Sequence, residues 1–166
     1  MLHYLKYLKN SILQLIARFV PIGNKQRVWL HRWRGVSIGK DVHIQHDVMI
    51  ETAYPELVKL GDRVHLGIRT TIAAHLHVLA AKTSDPEGFS VSIEEDAHVG
   101  TGVIILQNVT IGRGSVITAG SVVSSSVPPA TMVQGNPAKP VAKCGVPLGW
   151  HTPMKEFLKN LRPLCK

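Results

Sequence analysis

Aliphatic residues recur every six positions through most of this chain, and that period admits few folds. Ile38, Ile44 and Ile50 form one in-phase block, Leu60, Leu66 and Ile72 a second, and Ile93, Val99, Ile105, Ile111, Ile117 and Val123 a third. Two residues before each stands another small or β-branched residue, from Val36 and Val42 through Val91 and Ala97 to Ser115 and Ser121. Gly39, Gly61, Gly67, Gly100 and Gly112 directly follow five of the aliphatic positions. An amphipathic helix would repeat near 3.6 residues, and the strands of a sandwich recur at roughly 8–12. A unit of six makes one short strand and one corner, the glycine permitting the turn, and three units close a triangular coil of about 18 residues. Twelve such units predict an all-β solenoid, a parallel β-helix of about four coils with the aliphatic column along its axis.

The phase slips twice. From Ile50 to Leu60 the step is ten, which adds four residues near "TAYPEL"; from Ile72 to Ile93 it is 21, which sends residues 73–90 out of the prism as a loop. Insertions in solenoids project from one face, and long projecting loops carry function disproportionately. His75 stands at the mouth of that loop, with His77 two residues on.

The ends differ from the middle. Residues 2–20 carry Lys6, Lys9 and Arg18 among Leu5, Leu8, Ile12, Leu15, Ile16 and Phe19, too interrupted by charge to span a bilayer. They read as a basic amphipathic helix, ended by Pro21 and Gly23, that either packs on the prism or lies in a membrane interface. The expected organisation is a helix and turn over 1–26, the β-helix over 27–145, and a basic tail or short helix over 146–166. Trp29, Trp33 and Trp150 flank the prism and are expected to anchor the terminal segments to it. The net charge of +8 gathers toward the ends, and no nucleic-acid recognition module accompanies it. Cys144 and Cys165 are too few for a disulfide framework, so a reducing, cytoplasmic setting is expected, with peripheral contact at the inner membrane face if the helix binds lipid.

With the hexads, the segment "YPELVKLGDRVHLG" and the ending "SVVSSSVPPATMVQGNPAKPVAK" in view, residues 27–145 resemble the left-handed β-helix, hexapeptide-repeat acyltransferases, and most of all their polysaccharide O-acetyltransferase branch. The resemblance implies a homotrimer, acetyl-CoA in a cleft between neighbouring prisms, a carbohydrate acceptor, and a loop histidine as base. Relatives with a PEL segment place that histidine three residues after the aliphatic position, at His75; the galactoside and maltose acetyltransferases place it at the position of His77. The local match favours His75 and leaves His77 to substrate binding. It also implies CoA contacts at Thr101, Ala119, Gly120 and Ser124. Many relatives carry Thr-Lys where this chain has Ser124 and Ser125, which leaves Lys139 and Lys143 as cationic partners for the CoA phosphates.

Acetyl transfer to a hydroxyl needs a base that takes the alcohol's proton and returns it to the departing thiolate, work that imidazole suits near neutral pH. It needs N–H donors for the tetrahedral intermediate, which a turn such as Gly100–Gly102 offers. A carboxylate would orient the imidazole; Asp85, Glu87 and Glu94 compete for that role, with Glu87 the first choice and Asp85 assigned to substrate. No metal is expected. Two other readings stay open: a zinc hydratase of the γ-carbonic-anhydrase type, using the His-x-His pair with His65 or His98, and a non-catalytic β-helix scaffold. Outside a metal site, His65 and His98 are expected to face outward from their strands.

Overall fold

The computed structural model describes residues 2–19, 21–75, 89–149 and 152–164. Two helices open the chain, α1 (Leu2–Phe19) and α2 (Asn24–Arg34). Twelve short strands come next: β1 (Ser37–Ile38), β2 (His43–Ile44), β3 (Met49–Ile50), β4 (Val58–Leu60), β5 (His65–Leu66), β6 (Thr71–Ile72), β7 (Val91–Ile93), β8 (His98–Val99), β9 (Ile104–Ile105), β10 (Val109–Ile111), β11 (Val116–Ile117) and β12 (Val122–Val123). Every third strand pairs in parallel, so β1-β4-β7-β10 make a first sheet, β2-β5-β8-β11 a second and β3-β6-β9-β12 a third. These are the three walls of a left-handed β-helix of four coils.

Both sequence columns point inward. Ile44, Ile50, Leu66, Ile72, Ile93, Val99, Ile105, Ile111 and Ile117 have no more than 1% of their surface exposed, and so do Val58, Val64, Val91 and Val103 two residues before their partners. Thr70, Ser115 and Ser121, which occupy the same inward positions, satisfy their hydroxyls locally, Thr70 Oγ1 donating to the Gly67 carbonyl at 2.8 Å and Ser115 Oγ to that of Pro128 at 2.7 Å. Buried polar groups so paired cost little.

The glycines do different work from the one expected of them. The left-handed backbone falls three residues past the aliphatic position, at Asp41, Asp47, Arg63, Arg69, Asp96, Gly102, Asn108, Gly114 and Gly120, with φ between 53° and 71°. Asp and Asn tolerate this region best among side-chain-bearing residues. The glycine directly after the aliphatic residue is needed for space: a Cβ on Gly67 would lie 2.7 Å from the backbone of Gly100 and Thr101, and one on Gly61 would lie 2.7 Å from the Glu95 nitrogen.

A stack of parallel strands leaves an open edge at each end. At the first coil α2 closes it with side chains. The Asn24 carboxamide donates to the Val42 carbonyl (2.9 Å) and accepts from the Ile44 N–H (2.8 Å), standing in for a peptide of a preceding coil. Arg27 donates to the Ile44 carbonyl, Arg32 to those of Ile38 and Gly39, and Arg34 to those of Ile50 and Glu51, while Gln14 of α1 reaches the Val48 carbonyl. Three guanidiniums and two amides thus cover all three walls. At the other end β13 (Thr131–Gln134) continues the second sheet, and the "QGNPAK" turn reverses the chain into β14 (Lys139–Cys144), antiparallel to it. After α3 (Met154–Lys159), β15 (Leu161–Pro163) adds a further antiparallel strand.

Trp29 and Trp33 depart from the sequence expectation. They do not anchor α2, whose buried face is Arg27, Val28, Leu30, His31 and Arg34; their rings lie against each other with centroids 5.2 Å apart and planes tilted by 36°, and the two residues are 58% and 54% exposed. Trp150 lies outside the described residues.

The two classes of glycine predict different costs. Gly67→Ala should destabilise the protein by about 3 kcal/mol, because backbone must move, whereas Gly102→Ala, with φ +68° and nothing within 4 Å of its Cβ, should cost about 1 kcal/mol of backbone strain. Urea unfolding of the two variants checks the order.

Candidate active site

Both phase breaks open at the same corner of the prism. The shorter insertion comes after β3 and the longer after β6, its parallel neighbour one coil on, so the two leave side by side between the third and first sheets. Glu51, directly after β3, divides its carboxylate between the two insertions: Oε1 accepts from the Ala53 N–H at 2.9 Å and Oε2 from the His75 N–H at 3.0 Å. Tyr54 turns its ring onto that of His75, with centroids 4.7 Å apart and planes at 57°. Beneath, Arg34 donates to the Glu51 carbonyl at 2.6 Å, which ties the loop mouth to α2. His75 is therefore held at its backbone by a carboxylate and at its ring by an aromatic face.

Glu51 and Tyr54 are absent from the sequence-derived site, although a signal for them exists. Ile50 and Ile72 are 22 residues apart, one coil plus the four inserted residues, so the residues leaving the first break must stack against those leaving the second. His77, Asp85 and Glu87 lie outside the described residues. Glu94, the third carboxylate candidate, sits at another corner, where Oε2 accepts from the Arg113 N–H at 2.8 Å.

The remaining expected residues divide between the two long edges of the third sheet. Thr101, Ala119 and Gly120 stack at its junction with the second sheet, the Gly120 N–H donating to the Thr101 carbonyl at 2.9 Å. Lys139 joins them: the neighbouring Ala138 N–H donates to the Val122 carbonyl at 2.8 Å. Ser124 stands on the His75 edge, two coils along the axis from Ala73, or about 10 Å at the usual strand spacing. The two edges are roughly 13 Å apart, four residues of strand. Lys143 is carried away from Lys139 by the antiparallel run of β14; its Nζ donates to Thr131 Oγ1 at 2.8 Å, at the junction of the first and second sheets.

His65 and His98 project from the middle of the second sheet, across the prism from His75. With His43 they form a ladder on three successive strands, rings nearly parallel at 4° and 5° and centroids 5.2 and 4.6 Å apart. A site joining His75 to His65 or His98 would need ligands from opposite sides of one prism. Beside the ladder, Asp41, Arg63 and Asp96 line the adjoining corner, Arg63 holding Asp96 through two bonds of 2.6 and 2.7 Å. That ion pair keeps the Asp96 carboxyl below the usual carboxylate range. Pro147, Leu148, Gly149, Thr152 and Met154 overhang them, and a cavity of about 380 Å³ lies between these residues and the edges of His65 and His98.

Comparison with known proteins agrees with this architecture. The model for bacterial transferase hexapeptide repeats matches residues 90–125. A Bacillus subtilis protein named "Putative acetyltransferase YvoF" is 34% identical over 138 residues, covering 82% of this chain and 77% of that protein. The chain belongs to the bacterial hexapeptide transferases. An N-acetyltransferase of Staphylococcus aureus, named for 2,3,4,5-tetrahydropyridine-2,6-dicarboxylate, is 37% identical to this hexapeptide transferase over 79 residues; the match spans 48% of the chain and only 30% of that protein. Among solved structures, the hexapeptide-repeat acetyltransferase VCA0836 of Vibrio cholerae, determined with acetyl-CoA, superposes with a TM-score of 0.66 at 25% identity over 84% of this chain and 87% of that one. A maltose O-acetyltransferase of Clostridium difficile shares the fold at 21% identity, with a TM-score of 0.59 over 86% and 88% of the two chains.

Buried imidazoles give this fold a predictable acid response. Burial first, then His98 and His43, lowers the His65 pKa to about 4; burial, Arg34 and Arg27 lower that of His31 to about 3; burial also lowers His98 and His43. An unfolded histidine titrates near 6.5, so below that pH the unfolded chain takes up protons that the folded chain refuses, and stability should fall from about pH 6.5 toward pH 4. Urea midpoints across that range check it, and His65→Asn should make the fall shallower by up to one proton.

Proposed function

We propose that this hexapeptide transferase moves an acetyl group from acetyl-CoA to a hydroxyl of a sugar or polysaccharide precursor, with His75 as general base and acid. The observation that carries the reading is the His75 mouth itself: a histidine on the one long insertion of the prism, its backbone clamped by Glu51 and its ring faced by Tyr54. The acetyl-CoA complex of the Vibrio cholerae relative supports the choice of donor.

In the reaction the acceptor oxygen attacks the thioester carbonyl as the His75 imidazole removes its proton. Collapse of the tetrahedral intermediate breaks the C–S bond, and the same proton passes to the leaving sulfur. Glu51 acts as a positioning residue, because it fixes the His75 backbone. Donor and base need not crowd one point. The third sheet offers a face bounded by Thr101, Ala119, Gly120 and Lys139 on one edge and by Ser124 and His75 on the other, suited to an extended ligand whose phosphates meet Lys139. That face is open in a single chain, and a neighbouring prism of a homotrimer would close it into a cleft. Glu87 and Asp85, on the loop, would orient the base and meet the acceptor.

His75→Ala should lower kcat for acetyl transfer by a factor of about 10²–10⁴ and leave acetyl-CoA binding nearly unchanged. Lys139→Ala should raise the KM for acetyl-CoA with little change in kcat, through loss of a charge-assisted phosphate contact. Both are read from steady-state kinetics with a panel of sugar and amine acceptors. Near-normal turnover by the His75 variant would remove it from the chemistry, and transfer to amines alone would replace the hydroxyl acceptor.

A further inference from the structure

α1 packs on the rest of the protein with its least apolar side. Its buried residues are Asn10, Leu13, Gln14 and Ala17, which meet Leu30 and Ile22 and, through Gln14, the Val48 carbonyl. Leu5, Leu8, Ile12, Leu15, Ile16 and Phe19 are all exposed. At about 100° per residue these six fall within an arc of roughly 100°, centred opposite the packed side. This is the reverse of a surface helix that turns its apolar stripe to the core, so core packing does not account for the stripe. Tyr4 and Tyr7 on α1 and the neighbouring Trp29 and Trp33 on α2 are also exposed, adding four amphipathic rings to the helical end of the molecule.

The charge of this end is one-sided. The first 35 residues contain seven of the chain's 19 lysines and arginines and none of its 11 acids. Arg27 and Arg34 are buried, capping the first coil, while Lys6, Lys9, Lys25 and Arg32 are exposed. Some of this charge is locally balanced, Lys6 by Glu56 at 2.8 Å and Arg18 by Asp47 at 2.6 Å. No carboxylate of the helices themselves offsets the remainder. Two copies meeting through the same face would bring like charges together without a helical acid to pair them.

We propose that the α1–α2 face docks on an anionic lipid bilayer, the leucine, isoleucine and phenylalanine stripe entering the acyl boundary and the Trp and Tyr rings sitting at headgroup level. Among the described residues no helix is long and apolar enough to cross a membrane, so the contact is interfacial. Tryptophan and tyrosine favour that depth because one end is apolar and the other polar. Each nearby lysine or arginine adds attraction to an anionic surface, within the reach of salt screening. α1 is not a loose anchor: Gln14 joins it to the first coil and to Arg34, which in turn holds the Ile50 and Glu51 carbonyls. Docking therefore orients the whole prism.

The test uses the full-length protein and co-sedimentation with phosphatidylcholine vesicles, with and without phosphatidylglycerol, at low and high salt. Binding to the anionic vesicles should be at least about tenfold tighter, and high salt should weaken it. A blue shift of tryptophan emission on binding should disappear in Trp29→Phe/Trp33→Phe. Ile12→Glu/Leu15→Glu, at exposed positions, should abolish binding without moving the thermal midpoint or the sedimentation coefficient. Absence of vesicle binding, equal binding to neutral vesicles, or a change of oligomeric state in the Glu variant would overturn the proposal, the last by showing the face to be an interface between copies. None of these readouts depends on acetyl transfer, so failure here and failure of the acyltransferase reading are separate results.

Discussion

The spacing between coils, about 4.8 Å, governs this molecule. Backbone hydrogen bonds hold successive coils at that distance on all three walls, and each position in the hexad therefore lies directly over its counterpart. Inward positions become continuous aliphatic columns. Where a glycine follows the column residue the coils approach too closely for a Cβ, as the 2.7 Å approach at Gly67 shows. Outward positions become ladders, and where three histidines share one, their rings have nowhere to go but onto each other. Insertions can leave only at corners, since a break within a wall would cost its ladder.

The same hydrogen bonding makes the two ends of the stack costly to leave bare. The first coil is closed by side chains of α2 and by Gln14 of α1, and the amide of Asn24 bonds as a missing backbone unit would. This explains why α2 carries buried arginines, otherwise an expensive choice. Their guanidiniums answer carbonyls that no strand reaches. Arg34 extends the effect to the candidate site, because the Glu51 whose carbonyl it holds also secures the His75 backbone. Stability at the end of the stack and order at the loop mouth rest on a shared residue.

Much of this is legible in the sequence. A period of six locates both inward columns and all four coils, and the two phase slips mark the corner at which His75 stands. The features that escape have physical reasons. The hexad glycines suggest a turn-forming φ, whereas the positive φ lies two residues later, where Asp, Asn and Arg serve as well as glycine. Lys139 and Lys143 look adjacent in sequence, but β14 runs antiparallel and extended, so they leave at opposite corners. Glu51 and Tyr54 belong to the site through coil stacking, which sequence distance conceals. Trp29 and Trp33 mislead because large aromatic residues are so often buried; on α2 the buried places are already held by the side chains that close the first coil.

The helical cap fits only the first coil, and the β13–β14 reversal fits only the last. Neither end can accept another hexad without losing its fit, yet the coils between them are interchangeable in backbone terms. Growth or shrinkage of such a chain is therefore confined to its middle, in whole turns. A turn gained below the His75 corner would lift it about 4.8 Å from the helices and one gained above would not. The number of coils beneath the loop thus works as a ruler, setting the height of His75 above the base of the molecule in steps of one strand.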